Sequence, residues 1–111
     1  LQSLEVPGGG IEESDGSPVE AARRELLEET GYTAENYEYL GWFYPNPAIF
    51  TNRCHIVVAH GAVLSGSQQL DPGEKMGVVL LRREELLQQL KNGKVLHALV
   101  AAALLRFLLR A

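Results

Sequence analysis

The sequence predicts a single α/β (α+β) domain, a sandwich in which a mixed β-sheet lies between helices, and three observations predict it. Its 111 residues suffice for one compact domain and are too few for two. Hydrophobic residues make up 46% of the chain and charged residues 22%, which allows a packed core and excludes a solvated, disordered chain. Strand-like and helix-like segments alternate along the chain, with no repeat or low-complexity tract between them.

Each element has a local cause. Leu1 to Val6 alternates apolar and polar positions, which predicts a short strand ended by Pro7-Gly8-Gly9-Gly10. Ser17 before Pro18, with Glu20 three residues on, predicts a capped helix start, and Gly31 predicts its stop. Ala21, Ala22, Leu26 and Leu27 form its apolar stripe. Tyr37 to Phe43 and His55 to Val63 are aromatic and β-branched enough for strands, with Pro45 and Pro47 in the loop between them. Gly77 to Leu81 predicts a third short apolar strand after the polar, glycine-bearing stretch from Leu64 to Gly73. Arg83 to Leu90 has helical spacing ended by Gly93, and a last apolar helix runs from about Leu96 to Leu109.

Charge and composition narrow the function classes. A net charge of -4 argues against a nucleic-acid partner, because phosphate binding requires a basic surface, so an anionic substrate requires a cation as intermediary. Cys54 alone cannot form an intrachain disulfide, which suits a reducing cytoplasm. The most apolar stretch, Val95 to Leu109, carries His97 and Arg106 and falls short of the roughly 20 residues of a membrane span. No basic segment followed by an apolar run opens the chain, so no signal peptide is expected.

The chemistry gathers on the first helix. Glu25, Glu28 and Glu29 stand at i, i+3 and i+4, so a helix places all three on one side, within reach of a common point. Like charges so spaced repel by tenths of a kcal/mol per pair, and a hard divalent cation such as Mg²⁺ is their natural partner. The plain alternative is a solvated acidic face with Arg23 and Arg24 as counterions. A triple-glycine turn just ahead of this helix allows backbone to approach a ligand closely.

The segment Gly9 to Tyr32, ending in Arg24-Glu25-Leu26-Leu27-Glu28-Glu29-Thr30-Gly31-Tyr32, resembles the Nudix box, the signature of enzymes that hydrolyse nucleoside diphosphates linked to another moiety. Its second half matches at every defined position. In its first half the family's glutamate, eight residues before the arginine, falls on Gly16; a one-residue insertion near Asp15-Gly16 puts Asp15 in that role. The resemblance implies metal ligands in Glu25 and Glu29, Glu28 near the metal or its water, a carbonyl around Gly8 completing the shell, and Arg24 orienting Glu25. It implies Mg²⁺ as cofactor, with Mn²⁺ as a substitute. A general base from a loop outside the box is expected at Glu74, in the Leu70 to Lys75 loop, with Asp71 as the fallback.

Within the superfamily the chain looks most like the ADP-ribose pyrophosphatase group. Pro47 stands 15 positions after Tyr32 in Tyr44-Pro45-Asn46-Pro47, and Glu5-Val6-Pro7 and Leu90-Lys91-Asn92-Gly93-Lys94 also suit that group. The resemblance implies hydrolysis of ADP-ribose to AMP and ribose 5-phosphate, with Pro47, Tyr44 and Arg53 at the substrate. Nucleotide sugars and nucleoside triphosphates are the alternative substrates. Trp42, Phe43 and Tyr44 either stack a base or pack the core, Arg53 reaches a phosphate or is a surface counterion, and His55, His60 and His97 share no ligand spacing. Cys54 is expected to pack inside.

Only six residues precede Pro7, whereas such domains carry strands ahead of the box, so the sheet is expected to lack its N-terminal strands. Either sequence is missing or a partner chain completes the domain, as in a homodimer. A small-molecule nucleoside diphosphate derivative, no nucleic acid and no membrane are the expected partners. Two rival readings remain open: an inactive Nudix-fold nucleotide-binding module, and an interaction domain that uses the Leu96 to Leu109 helix.

Overall fold

The computed structural model describes residues 4–46, 52–73 and 76–110. They include three helices, four strands and a short 3₁₀ turn, Glu13–Asp15. In order these are α1 (Pro18–Thr30), β1 (Tyr32–Thr33), β2 (Asn36–Phe43), β3 (Cys54–His60), β4 (Val63–Leu64), α2 (Arg83–Lys91) and α3 (Ala98–Leu109). The α+β class is the one the sequence predicts. The described strands pair antiparallel, β1 with β4 and β2 with β3. The chain gathers into two compact units, one from Pro7–Gly77 and the other from Leu1–Val6 with Val78–Ala111.

In the first unit, α1 begins as its sequence dictates. Ser17 is extended and its hydroxyl oxygen accepts the Glu20 N–H at 3.1 Å, while Pro18 occupies the first helical position, where no donor is needed. At the other end Gly31 adopts φ 78°, the left-handed conformation that only glycine takes at little cost, and its N–H reaches Leu27 O at 2.8 Å. Ala21 is the buried residue of α1, but Leu27, expected in the apolar stripe, is exposed. The strand hairpin β2–β3 holds its register from Asn36 opposite His60 to Tyr39 opposite Val57. It then shifts by one residue so that Trp42 faces His55. Gly41, with φ 91°, sits in that bulge. Arg23 joins helix to hairpin: its guanidinium lies 4.5 Å from the centre of the Tyr37 ring and donates to Ala34 O at 3.4 Å. Ala34 and Ile56 are the other buried apolar residues of this unit.

In the second unit, α2 and α3 are joined by Arg83, whose Nη2 donates to Leu108 O at 2.6 Å and whose guanidinium stands 5.8 Å from the Phe107 ring centre. Val100 and Leu104 are its buried side chains. α2 stops where the sequence predicts: Asn92 is its C-cap, Gly93 follows in the left-handed conformation at φ 70°, and the Gly93 and Lys94 N–H groups reach Leu90 O and Gln89 O at 3.2 and 3.0 Å, while His97 caps α3 by accepting the Leu99 N–H at Nδ1.

Four sequence expectations are corrected. Among the described residues neither Leu4–Val6 nor Gly77–Leu81 forms a strand, and Val79 and Leu80 are exposed; apolar composition makes a strand only where another strand pairs with its backbone. The run His55 to Val63 is broken at Gly61, whose φ of 64° turns the chain between β3 and β4. Cys54 is half-buried rather than inside.

The end of α1 yields a stability prediction. A Cβ at Gly31 would collide with Gly66 O and sit 3.1 Å from its carbonyl carbon, on top of the left-handed penalty. Gly31→Ala is therefore expected to cost at least about 2 kcal/mol, from a roughly 1–2 kcal/mol backbone term plus overpacking of about 1–3 kcal/mol. Urea denaturation that placed the variant within 0.5 kcal/mol of wild type would contradict it.

Candidate functional site

The site is built where the glycine turn passes the start-to-end face of α1. Gly8, Gly9 and Gly10, Glu12, Arg24, Glu25, Glu28, Glu29, Gln69, Leu70 and Asp71 line a cleft of about 400 Å³. Helical spacing brings the three glutamates to it, and glycine makes the approach possible. A Cβ at Gly9 would stand 2.7 Å from the Glu25 carboxyl carbon and collide with its Oε1, so the absence of a side chain there makes room for that carboxylate. The Gly8 N–H donates to Glu29 Oε2 at 2.7 Å, which ties the turn to the last turn of the helix.

Arg24 organises the acids. Its Nε and Nη2 grip the two oxygens of Asp15 at 2.8 and 3.0 Å in the paired geometry that suits a guanidinium and a carboxylate. Its Nη1 donates to Glu25 Oε1 at 3.0 Å and Glu28 Oε2 at 3.2 Å, and Nη2 also reaches Gly10 O at 3.0 Å. Asp15 is the buried member, with only 4% of its side chain exposed. The Glu12 N–H completes its shell at 2.7 Å, inside the 3₁₀ turn. Its pKa is held below the ordinary carboxylate value, first by the Arg24 hydrogen bonds and then by that backbone N–H. Arg24 is held fully charged by the same pair.

The far wall of the cleft is stitched to the end of α1. The Gln69 N–H donates to Glu28 O at 2.7 Å, and Ser65 and Gly66 N–H groups both reach Gly31 O, at 2.9 and 3.1 Å. These bonds satisfy carbonyls that the helix cannot satisfy itself.

The predicted residues divide accordingly. Arg24, Glu25, Glu28, Glu29 and Gly8 come together at one cleft, with Asp71 on its lining. Among the described residues no three His, Cys, Asp or Glu side chains converge on a metal-sized point; Arg24 holds the Glu25 and Glu28 carboxylates instead. Tyr44 and Arg53 lie elsewhere, on the β2–β3 hairpin and its loop. Arg53 stacks 4.3 Å over the Trp42 ring, and Trp42 meets Tyr44 edge-on at 4.7 Å, so Arg53 is neither a bare counterion nor aimed at the cleft lining. His55 accepts or donates to Tyr39 Oη at 2.6 Å and His60 pairs with Glu38 at 2.8 Å, both on the hairpin. Pro47 and Glu74 lie outside the described residues. The cleft lining from Gln69 and Leu70 was not legible in the sequence, since its only signal is a polar, glycine-bearing loop.

The chemistry of the donor set fits a hard divalent cation: carboxylate oxygens from Glu25, Glu28 and Glu29 beside backbone of a glycine turn. The Asp15–Arg24 pair gives a pH prediction. Because the folded carboxyl has a lowered pKa, the pair stabilises the fold above the unfolded value near 3.8, and this contribution fades as pH falls through the folded value. Thermal midpoints measured from pH 6 down to 2 should fall more steeply in wild type than in Asp15→Asn below about pH 4; parallel curves would contradict the assignment.

Comparison with known proteins follows this geometry. Residues 2–103 match the NUDIX domain family. The chain is 32% identical over 102 residues to an ADP-ribose pyrophosphatase of Bacillus subtilis (strain 168), an alignment covering 91% of this chain and 55% of that protein. It is 33% identical over 93 residues to a methanol dehydrogenase activator of Bacillus methanolicus, covering 83% and 50%. It is also 31% identical over 108 residues to a CMP-5'-(N-acetyl-N-hydroxy-3-aminopropyl)phosphonate hydrolase of Streptomyces rubellomurinus (strain ATCC 31215), covering 97% and 52%. The chain thus spans about half the length of these relatives. With the box residues of α1 gathered at one glycine-lined cleft and the family match running over nearly its whole length, the chain belongs to the Nudix family.

Proposed function

We propose that this domain hydrolyses the pyrophosphate bond of a nucleoside diphosphate linked to another moiety, with ADP-ribose as the substrate and AMP and ribose 5-phosphate as products. The observation that carries this reading is the cleft itself, where Glu25 and Glu28 bond to the Arg24 guanidinium and Glu29 to the Gly8 N–H of a glycine turn. The ADP-ribose pyrophosphatase relative supports the choice of substrate, and the phosphonate hydrolase relative supports a nucleotide-bearing substrate more broadly.

Glu25, Glu28 and Glu29, with the Gly8 backbone, are the residues to hold Mg²⁺ or Mn²⁺. Held there, the cation supplies positive charge against the pyrophosphate and acidifies the attacking water. The chain's own residues do the remaining work. Arg24 fixes the Glu25 and Glu28 carboxylates against rotation, and it does so from an Asp15 anchor that is buried and ionised. Gly9, having no side chain, leaves room for the Glu25 carboxylate beside the turn. Water oxygen bonds to phosphorus as the bridging P–O bond breaks, one water proton passes to a carboxylate, and the departing phosphate takes the electron pair. Glu74 is assigned as that carboxylate from its place in the sequence, and Asp71, three residues earlier, lines the cleft. Pro47, Tyr44 and Arg53 are proposed at the substrate's distal moiety, a homodimer as the working assembly and the cytoplasm as its place. Among the described residues no helix is long and apolar enough to cross a membrane.

A panel of nucleoside diphosphate derivatives with Mg²⁺ tests the reading. Glu29→Gln is expected to lose at least about tenfold in rate, a barrier increase of about 1.4 kcal/mol. An unchanged rate removes Glu29 from the metal set. Chelation should abolish turnover, and adding back Mn²⁺ should restore it together with an upward thermal shift; turnover that survives chelation contradicts the metal assignment. Of the two candidate bases, Glu74→Gln is expected to lose about 10²-fold or more and Asp71→Asn less, and kcat measured on both variants decides between them.

A further inference from the structure

Gln68 lies outside the box and outside the cleft lining, yet its side chain bridges two chain segments. Its Nε2 donates to Glu29 O at 2.8 Å and to Met76 O at 3.2 Å. The amide group has two N–H donors and both are thereby engaged. The first acceptor is a last-turn carbonyl of α1, which has no partner within the helix, and it belongs to a glutamate of the cleft. The second lies eight residues along the chain, so one side chain ties Gln68 to both Met76 and the helix. The neighbouring Gln69 N–H bond to Glu28 O forms a second rung beside the first. From these rungs the chain continues directly into Gln69, Leu70 and Asp71, the wall of the cleft opposite the box residues in sequence.

We propose that Gln68 is a positioning residue: by clipping the loop to the backbone of Glu29 and Met76, it holds the Gln69–Asp71 wall at its working distance from the glutamates of α1. This rests on the hydrolase reading above. A side chain that acts through the loop affects the alignment of reacting groups, while the glutamates and their Arg24 brace stay on an intact helix. The loss on removing the clip therefore falls on kcat rather than on cation binding.

The test compares wild type with Gln68→Ala and Gln68→Glu, the second retaining size and reach but having no donors when ionised. Three quantities are measured: kcat and KM for ADP-ribose with Mg²⁺, Mn²⁺ affinity by electron paramagnetic resonance, and hydrogen exchange at the Gln69 amide. Both variants should lose at least tenfold in kcat with KM within threefold, retain Mn²⁺ affinity within twofold, and exchange the Gln69 amide at least fivefold faster. Unchanged exchange overturns the clip. Faster exchange with kcat within twofold of wild type overturns the positioning role, as does a loss in Gln68→Ala that Gln68→Glu does not share, which would mark a space-filling role. A fall in Mn²⁺ affinity and thermal midpoint in step with kcat would mark general structural damage and also overturn it. A wild type that binds no Mn²⁺ and cleaves no member of the substrate panel defeats the hydrolase reading itself, and the positioning role falls with it.

Discussion

Among the described residues that line the cleft, one guanidinium stands against five carboxylates, and the rest of the site depends on how that imbalance is held. Arg24 meets it by dividing its donors. Two go to buried Asp15, which is already ionised and fixed by the Glu12 backbone, and the remainder go to Glu25, Glu28 and Gly10 O. A lysine at this position could not make the same set, because its ammonium lacks the planar fork that reaches several acceptors at once. Repulsion among glutamates one helical turn apart is thus offset locally, while the three residues remain on the cleft lining.

Asp15 shows how a departure from a family pattern can preserve its physics. Gly16 stands where the pattern has a carboxylate, but the 3₁₀ turn Glu13–Asp15 and the left-handed Gly16, with φ 78°, bring the neighbouring aspartate onto Arg24 instead. Glycine at position 16 takes this left-handed turn at little steric cost.

Backbone bonds at the other end of α1 matter equally for the cleft. The carbonyls of Glu28 and Glu29 leave the helix as acceptors and meet Gln69 N–H and the Gln68 amide, so the functional helix and the loop facing it share one hydrogen-bond frame. Gly31 makes that junction possible, since its lack of a side chain admits Gly66 O. The same segment that ends the helix therefore also builds the cleft.

What could be read from the sequence was whatever depends on near neighbours. Ser17, Pro18 and Gly31 bounded α1 because caps and a left-handed stop act within four residues, and the glutamate face followed from helical periodicity. The family resemblance of Gly9 to Tyr32 agrees with the match over residues 2–103. Tertiary structure alone decided the rest. Gly77–Leu81 has the composition of a strand but no described neighbour to pair with, and strand formation requires a partner that composition does not name. Arg53 went to the face of Trp42, where the bulged register of the hairpin brings ring and guanidinium together. Gln68 and Gln69 acquired their places from α1 carbonyls some forty positions earlier, a contact for which a polar loop carries no local signal.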